Sequence, residues 1–438
     1  MELTGWGRYP RVQGTLSAPR DAAALAALVA GAPPLIARGL GRSYGDSAVA
    51  ATTVAMRHFN RMIAFDPDSG QLVAEAGVSL AEVVDAFLPR GWFPSVTPGT
   101  KFVTIGGAIA ADVHGKNHHS EGSFSAFTDW VDLMGPDGTV SRCSRTENPE
   151  LFHNTFGGMG LTGILLRAAI RLRRVETGWI RQTMIPTRNL DEALEVFDDT
   201  FSATYCVAWI DCLGTGDHLG RSLVMTGEHA RVSEIGRPAA PFDTPRHRNI
   251  PFPFDLPGFA LNPYTVRAFN ALYYRMGARK AGEGLVDWDS YFYPLDAVQN
   301  WNRLYGKRGF MQFQCALPLD TGRAGLTQLL QAIAPSGAAS FLAVLKRFGP
   351  QSGPVSFPME GYTLALDFPM NQRSLALMPE LDRITIDHGG RFYLAKDSRM
   401  SPDTLRQTDP RWADFTRWRT ARGMDTRFAS AQSKRLGL

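Results

Sequence analysis

The sequence lacks the features that mark several specialised classes of protein. It has four cysteines, Cys143, Cys206, Cys212 and Cys315, and no CxxC pair. A chain of this length can bury a sizeable core without disulfide bonds, so we expect reduced thiols. No window approaches the ~18 consecutive apolar residues of a membrane-spanning helix, and the N-terminus has neither the basic leader nor the apolar stretch of a signal peptide. We therefore expect a cytoplasmic protein, with peripheral attachment at the inner membrane left open.

A strong excess of charge of one sign is also missing. The 46 Lys and Arg residues nearly balance the 42 Asp and Glu residues, and the net charge is +4. Because no Lys/Arg-rich run stands out, the sequence indicates no nucleic-acid partner. The small positive excess is compatible with a small anionic substrate. Hydrophobic residues make up 44% of the chain, which is typical of a globular protein with a packed core.

The chain is long enough for two domains, because single cores stop growing near ~250–300 residues. Its character changes at about residue 175. Earlier segments are short and rich in glycine, and the turn Gly135-Pro136-Asp137-Gly138 predicts a hairpin between strands at residues 130–134 and 139–140. Later alternating runs at residues 310–317 and 362–368 predict strands, and residues 190–200 and 325–334 predict helices. We predict an α+β fold divided into residues 1–175, residues 176–390 and a segment, 391–438, that returns to the first domain.

The first candidate for chemistry is the loop Gly39-Leu40-Gly41-Arg42-Ser43-Tyr44-Gly45-Asp46, which follows a short apolar strand. Closely spaced glycines let backbone N–H groups approach an anion without interference from a Cβ atom. The spacing GxGxxxG differs from the GxGxxG fingerprint of a dinucleotide-binding Rossmann unit, and no helix signal follows directly. On this loop alone, a surface turn is the favoured interpretation.

Two more glycine-rich strips follow in the same part of the chain. One contains Pro98-Gly99-Thr100 and Thr104-Ile105-Gly106-Gly107-Ala108, and it continues into His114-Gly115-Lys116-Asn117-His118-His119. The other is Phe156-Gly157-Gly158-Met159-Gly160-Leu161-Thr162-Gly163-Ile164. Small residues in such a run indicate backbone that lies against a flat ligand. Three strips in one domain are far more specific than any one of them.

Together with the strand Glu75-Ala76-Gly77-Val78, the three strips resemble, in order, the FAD-binding domain of the vanillyl-alcohol-oxidase family. The resemblance narrows with GLGRSYGD, TIGGAIAADVHGKNHHSEGSF, GLTGI, FPMEGYTLALDFP and YLAKDSR, which look like the decaprenylphosphoryl-β-D-ribose oxidase family from about Trp6 to Leu438. It implies a two-subdomain FAD-binding domain and a substrate domain built on an antiparallel sheet with flanking helices. It also implies a non-covalently bound FAD.

The family resemblance also implies an activity and partners. The flavin takes a hydride from the carbon that bears the 2-hydroxyl of a polyprenyl-phosphate ribose, which gives the 2-keto sugar. A separate short-chain NAD(P)H-dependent reductase then completes the epimerisation to the arabinose form used in cell-wall or glycan arabinosylation. A quinone or another acceptor reoxidises the flavin.

Carried over position by position, the resemblance assigns residues to flavin binding and to substrate binding. The flavin is expected to contact Ala37, Arg38, Gly39, Leu40, Gly41, Arg42, Ser43, Tyr44, Gly45, Asp46, Ser47, Gly99, Thr104, Ile105, Gly106, Gly107, His114, Gly115, Lys116, Asn117, Ile164 and Tyr393. The sugar and phosphate are expected to contact Tyr44, Gln312, Gln314, Lys346, Asp367 and Lys396.

Lys396 is the leading catalytic candidate, because an ammonium beside a flavin stabilises the negative charge of the reduced ring. The hydroxyl proton also needs an acceptor. His114, Tyr44 and the neutral form of Lys396 are all candidates, and the sequence does not choose among them.

The sequence departs from the family pattern at two positions. The cysteine that reacts with inhibitors in the family is Ala365 here, so covalent inhibition directed at that thiol should be lost. The histidine of an FYHP-like run is Tyr293, which leaves details of sugar recognition open.

Other interpretations of these residues stay open at this point. His114, His118 and His119 with Asp112 and Glu121 could form a metal site, although the surrounding glycines argue against a helix there, and the family uses no metal. Lys396 could be an ordinary surface lysine. The proline-broken apolar loop at residues 250–261 could pack on the second domain, or could be a flap that meets a prenyl chain or a membrane.

Two further hypotheses concern the function as a whole. One keeps the flavin and replaces the substrate by a soluble sugar lactone or alditol, with oxygen as acceptor. The other is a non-catalytic flavin- or ligand-binding module.

Overall fold

The computed structural model of the protein describes residues 1–31, 33–245, 250–338 and 340–438. Strands in the first part of the chain are β1 (Glu2–Leu3), β2 (Val12–Gln13), β3 (Thr15–Ser17), β4 (Leu35–Arg38), β5 (Thr52–Ala55), β6 (Met62–Asp66), β7 (Gln71–Glu75), β8 (Trp92–Pro94), β9 (Thr128–Met134), β10 (Val140–Ser144) and β11 (Ile164–Arg174). Helices there are α1 (Ala22–Gly31), α2 (Leu80–Phe87), α3 (Ile105–Ala110), α4 (His118–Glu121) and α5 (Pro149–Thr155).

These strands form three sheets, of which the smallest is the antiparallel pair of β1 and β2. A small parallel sheet has the order β3-β5-β4, and a larger antiparallel sheet has the order β10-β9-β11-β7-β6, with β8 paired to the far end of β11. The turn Gly135–Gly138 joins β9 to β10 as the sequence predicts, and Gly138 supplies the positive φ of 81° that this turn needs. The first glycine-rich strip lies between β4 and β5 of the parallel sheet, and the other two lie between strands of the antiparallel sheet.

The second part of the chain is built on one large sheet. Strands in this part of the chain are β12 (Trp179–Thr187), β13 (Tyr205–Ile210), β14 (Ser222–His229), β15 (Ile250–Pro251), β16 (Gly282–Asp287), β17 (Val298–Gln299), β18 (Phe310–Pro318), β19 (Ala343–Phe348) and β20 (Gly361–Pro369). The short strands β15 and β17 form a separate parallel pair. Its helices are α6 (Leu190–Asp199), α7 (Pro263–Ala278), α8 (Trp288–Phe292), α9 (Leu319–Ser336) and α10 (Gln372–Asp387). The sheet order is β16-β12-β14-β13-β19-β20-β18-β21, where β21 (Arg391–Phe392) comes from the C-terminal segment, and every pair is antiparallel. The predicted α+β fold with an antiparallel second sheet is confirmed.

Helix α9 begins six residues before the predicted start at Gly325. Gly322 and Gly325 lie inside the helix, where both pack closely against neighbouring side chains. A Cβ atom on Gly325 would lie 2.9 Å from Leu317 Cδ1, and one on Gly322 would lie 2.9 Å from Tyr362 Cδ2.

Side chains alternate between the two faces of the central strands β18, β19 and β20. One face is apolar and packs under α9 and α10, with Phe313, Leu345 and Leu364 fully buried. The opposite face carries Gln312, Gln314, Lys346, Thr363, Ala365 and Asp367, and it looks toward the glycine-rich strips. The register of the three strands therefore brings these polar side chains together.

The C-terminal segment contains β21, α11 (Pro402–Thr408), α12 (Arg411–Thr420) and α13 (Ala431–Leu436). Trp412 and Phe415 share a hydrophobic core with residues of β7 and α2. The Ala429 N–H donates to the Leu35 carbonyl at 3.0 Å, which ties this segment to β4. The boundaries at residues 175 and 390 stay a prediction. No helix in the described ranges has the length and hydrophobicity that crossing a bilayer would require.

Candidate active site

A cavity of about 310 Å³ lies between the polar face of the large sheet and the glycine-rich strips. Most of the residues predicted to bind flavin or substrate line it. They are Ala37, Gly39, Leu40, Gly41, Arg42, Ser43, Tyr44, Ser47, Gly99, Thr104, Gly106, Gly107, His114, Tyr393, Gln312, Gln314, Lys346, Asp367 and Lys396.

The loop after β4 forms one wall of the cavity and presents unused donors. Among the described residues, no hydrogen-bond acceptor faces the backbone N–H groups of Leu40, Gly41, Arg42 and Ser43. Gly41 has a φ of 65°, a left-handed conformation that glycine adopts without strain. A Cβ on Gly39 would lie 2.3 Å from Thr104 Oγ1, so only glycine fits where the first two strips meet. Consecutive free N–H groups of this kind suit a phosphate.

Arg38 at the end of β4 and Gly45 and Asp46 in the loop were predicted to contact the flavin, but they do not line the cavity. The Arg38 guanidinium donates to the carbonyls of Thr4 and Ala48 at 2.9 and 3.3 Å. Gly45 packs against the backbone of Asp397. The buried Asp46 accepts two hydrogen bonds from Arg435, at 2.7 and 3.1 Å. These residues hold the loop in place rather than face the cavity.

Part of the second strip is helical, which the sequence analysis did not predict. Residues Ile105–Ala110 form the short helix α3, and the Thr104 side chain caps it by accepting from the Gly107 N–H at 3.1 Å. Gly106 and Gly107 lie in the first turn of the helix and line the cavity, whereas Ile105 points into the core. The small residues are needed because the helix end and the cavity share this wall.

The third strip contributes residues that the prediction did not select. Met159, Gly160 and Gly163 line the cavity. Ile164, the one predicted contact there, is buried in a cluster with Val54. The strip was recognised from its glycines, but which of its residues face inward depends on turns that the sequence does not reveal.

At the polar end, the Lys396 ammonium lies 3.5 Å from the centre of the Tyr44 ring. The Gln312 amide donates to the Asp367 carboxylate beside them. Burial raises the pKa of Asp367, and the hydrogen bond from Gln312 and the charge of Lys396 oppose that shift. Burial lowers the pKa of Lys396, which Asp367 counteracts. Burial also raises the pKa of Tyr44 well above its usual range, so this phenol stays protonated.

A second polar group surrounds His114, whose Nε2 lies 3.4 Å from the Gln314 amide nitrogen. Gln314 also donates to Thr363 Oγ1 at 3.4 Å. Burial lowers the pKa of His114 well below its usual range, and the charge of Lys346 adds to this, so the ring is neutral. Its Nδ1 is buried without a hydrogen-bond partner among the described residues. Burial lowers the pKa of Lys346 to about 8.

The three residues after His114 do not line the cavity. Gly115 packs on the backbone of Thr97. Lys116 donates to the Tyr291 carbonyl and lies over that residue's ring, and burial lowers its pKa to about 7. The Asn117 amide donates to the Ser95 carbonyl at 2.9 Å. Their proposed contact with the flavin stays a prediction.

The expectation that glycines exclude a helix around His118 and His119 is wrong, because both residues lie in the single turn α4. His114 lies outside that turn, so the three histidines do not share a helix face. In the part of the chain that the structure describes, no three His, Cys, Asp or Glu side chains are arranged to hold a metal ion.

The sequence did not single out the aromatic wall near the loop. Trp6 and Trp301 line the cavity with ring centres 5.8 Å apart, and the Arg42 guanidinium lies 4.0 Å from the Trp6 ring. Asp296 lies beside them and accepts hydrogen bonds from the Thr100 hydroxyl and the Lys101 N–H. These residues come from distant segments without periodicity, so no local signal could have grouped them.

The residues present fit a flavin nucleotide. The loop offers free N–H donors for phosphates. A Cβ atom placed on Gly99 would meet no heavy atom within 4 Å beyond its chain neighbours, so the space in front of Gly99 is open. Arg42 Nε, Ser47 Oγ and Gln312 Oε1 are buried without partners among the described residues, as expected where a bound molecule supplies them.

Comparison with known proteins supports the same interpretation. Residues 15–144 match the family described as FAD binding domain. The whole chain aligns with 97% of decaprenylphosphoryl-β-D-ribose oxidase from Mycolicibacterium smegmatis at 36% identity. An uncharacterised protein from the mprA 5′ region of Streptomyces coelicolor is 33% identical over 82% of this chain and its own full length. L-gulonolactone oxidase from mouse is 28% identical over only 36% of each chain.

Proposed function

Because the chain belongs to the decaprenylphosphoryl-β-D-ribose oxidase family of FAD-dependent oxidoreductases, we propose that it oxidises the 2-hydroxyl of a polyprenyl-phosphate ribose to the 2-keto sugar. The match over the whole chain confirms the family expected from the sequence motifs and confirms FAD as the cofactor.

The observation that carries the proposed substrate is the pair of half-buried lysines, Lys346 and Lys396, on a wall that also bears Gln312 and Gln314. Withdrawing an ammonium from water is costly unless a counter-charge accompanies it. Asp367 is the one carboxylate of the described residues that lowers this cost for Lys396. A phosphate would supply the missing negative charge, and the two amides are suited to sugar hydroxyls.

The flavin, when bound, accepts the hydride from the sugar carbon. Lys396 binds the sugar hydroxyl and stabilises the negative charge that develops next to it. Tyr44 fixes Lys396 through the face of its ring. Gln312 on β18 and the neighbouring Asp367 on β20 orient the sugar from the large sheet.

The hydroxyl proton needs an acceptor within reach, and the pKa directions separate the candidates. Tyr44 has a raised pKa and holds its proton, so it serves as a donor. His114 has a lowered pKa, so its ring is neutral and is a candidate base. The Gln314 amide nitrogen faces Nε2, which makes Nε2 the ring nitrogen with the lone pair. A neutral Lys396 is the second candidate, because its pKa is also lowered by burial.

A second enzyme has to reduce the 2-keto product, and an electron acceptor has to reoxidise the flavin. A short-chain NAD(P)H-dependent reductase consumes the 2-keto sugar and completes the epimerisation to the arabinose form, and a quinone or another acceptor takes the electrons. A lipid-linked substrate places this exchange at a membrane surface, where the protein works as a peripheral enzyme.

The alternative substrates are less well supported. The similarity to L-gulonolactone oxidase covers about a third of each chain, and a soluble lactone gives no role to a second lysine in the cavity wall. A non-catalytic module would not need Lys396 beside Tyr44 and Asp367 in the same cavity.

The test is anaerobic mixing of the FAD-loaded protein with a short-chain prenyl-phosphate ribose. We expect loss of the oxidised-flavin absorbance and formation of the 2-keto sugar by mass spectrometry. Reduction by a soluble lactone with rapid peroxide formation, and none by the prenyl-phosphate sugar, would contradict the proposal.

A further inference from the structure

Helix α7 (Pro263–Ala278) packs on the large sheet through its less apolar face. Val266 and Asn270 are the buried side chains of this helix, and the Asn270 amide donates to Asp211 at 2.7 Å. The Tyr274 hydroxyl donates to the Thr187 carbonyl at 3.1 Å. Gly277 lies so close to the sheet that a Cβ would be 2.2 Å from Leu223 Cδ1.

The opposite face of α7 presents large apolar side chains to solvent. Tyr264 is 82% exposed, Leu272 59% and Met276 52%, and the preceding loop adds Phe259 at 79%. The spacing of Tyr264, Leu272 and Met276 places them on one stripe of the helix. We call the stripe and Phe259 the α7 apolar face. A patch of this kind on a soluble surface marks a place where another molecule sits.

Positive charge borders the same face. Residues 256–282 contain no Asp or Glu, but they contain Arg267, Arg275, Arg279 and Lys280, all of which are exposed. An apolar helix face with aromatic residues and a basic border is the pattern of helices that lie in the interface of an anionic bilayer.

A chain of ring contacts also links helix α7 to the cavity wall. Phe269 of α7 touches Phe341 with ring centres 5.6 Å apart, and Phe341 stacks on Tyr305 at 5.7 Å. Tyr305 stacks on Phe310 at 4.5 Å, and Phe310 contacts the cavity-lining Tyr44 at 5.1 Å. A row of aromatic rings therefore runs from the exposed helix to the predicted sugar site.

We propose that the α7 apolar face docks the protein on an anionic phospholipid bilayer, with the cavity mouth toward the membrane. The proposal deepens the proposed function and rests on it for the reason why a bilayer is needed, because a prenyl chain stays in the lipid while its sugar phosphate enters the cavity. The basic border argues for a bilayer rather than a second copy of this chain, since two such borders would repel each other.

The test is co-sedimentation of the FAD-loaded protein with vesicles of equal parts phosphatidylcholine and phosphatidylglycerol, and with phosphatidylcholine vesicles alone. We expect the wild type to bind the anionic vesicles. F259S/L272S/M276S should bind them at least about tenfold more weakly, because apolar insertion and charge act together. R275Q/R279Q should lose most of the preference for phosphatidylglycerol. The matched control I63S/V140S/L375S removes exposed apolar side chains elsewhere and should bind like the wild type.

Several outcomes would overturn the proposal. One is a wild type that does not sediment with anionic vesicles, and another is equal binding by F259S/L272S/M276S. Unchanged vesicle binding with a raised KM for a long-chain substrate in detergent would assign the face to the prenyl chain. A wild-type dimer that this variant dissociates would assign it to a second copy.

The same variants separate this proposal from the proposed function. F259S/L272S/M276S should still lose its flavin absorbance with a short-chain prenyl-phosphate ribose in buffer. Failure of that reaction in the wild type, with vesicle binding intact, would remove the substrate assignment and leave the docking surface. Failure of vesicle binding in the wild type, with flavin reduction intact, would remove the docking surface and leave the substrate assignment.

Discussion

The Lys396 ammonium rests on the face of the Tyr44 ring, at 3.5 Å from its centre. The two residues come from opposite ends of the chain and meet because the Tyr44 N–H donates to the Ala395 carbonyl at 3.0 Å. The ring face attracts the cation, and the ammonium is thereby held at a fixed point on the cavity wall.

Replacing Lys396 by methionine should lower the rate of flavin reduction about 10²- to 10³-fold, because a charge aimed at the developing negative charge is removed. FAD content should be unchanged, since the loop that presents free N–H groups is not altered. Stopped-flow absorbance with a short-chain prenyl-phosphate ribose measures the rate. K396R keeps the charge and should recover part of it. An undiminished rate in K396M would contradict the assigned role.

The value of kcat/KM should fall above about pH 8. Lys346 has a pKa lowered to about 8 by burial, and the pKa of Lys396 is also lowered. Both are cationic below these values and lose charge as the pH rises, so phosphate attraction is present at low pH and lost at high pH. The pKa values of the free enzyme govern kcat/KM. Arginine stays protonated at these pH values, so K346R should make the alkaline limb shallower or move it upward. An identical limb in K346R would exclude Lys346 as its source.

The cavity should be unreactive toward thiol-directed electrophiles. All four cysteines are buried and outside the cavity lining. Burial raises the pKa of Cys143 to about 11 and of Cys206, Cys212 and Cys315 to about 12, which suppresses the thiolate. Ala365 lines the cavity, so A365C should acquire iodoacetamide-dependent inactivation. Intact-mass analysis should show one added group in A365C and none in the wild type under the same conditions.

Arg435 should stabilise both the fold and the FAD-binding loop. It pairs with Asp46 at 2.7 Å and with Asp397 at 2.8 Å, and both carboxylates are nearly inaccessible to solvent. Removing one partner of a buried pair leaves an uncompensated charge, so R435M should lower the free energy of unfolding by ~3 kcal/mol. Urea denaturation measures this, and flavin fluorescence measures faster release of FAD. R435K should lose less, and an R435M protein as stable as the wild type would contradict the prediction.

Much of the fold could be predicted because it depends on local patterns. Alternation at residues 310–317 and 362–368 identified β18 and β20, and the hairpin of β9 and β10 followed from its Gly-Pro-Asp-Gly turn. Helix α3 and the early start of α9 were missed, because the glycines inside them serve close packing with neighbours that are distant in sequence.

The site could be predicted in outline and not in detail. The family motifs pointed to contiguous segments, and the structure selects within them. In the loop, Gly41 and Ser43 face the cavity, while Asp46 turns back toward Arg435. In the third strip the prediction chose Ile164, but Gly160 and Gly163 form the wall. Trp301 was missed because its place depends on how the large sheet meets the first domain.

The meeting of Tyr44 with Lys396, and of Asp46 with Arg435, has a consequence for biosynthesis. A ribosome releases the loop that presents free N–H groups well before it has made the large sheet and the lysine behind it. A nascent chain therefore has only half of the wall, and the coenzyme can be captured firmly only after translation has passed Arg435.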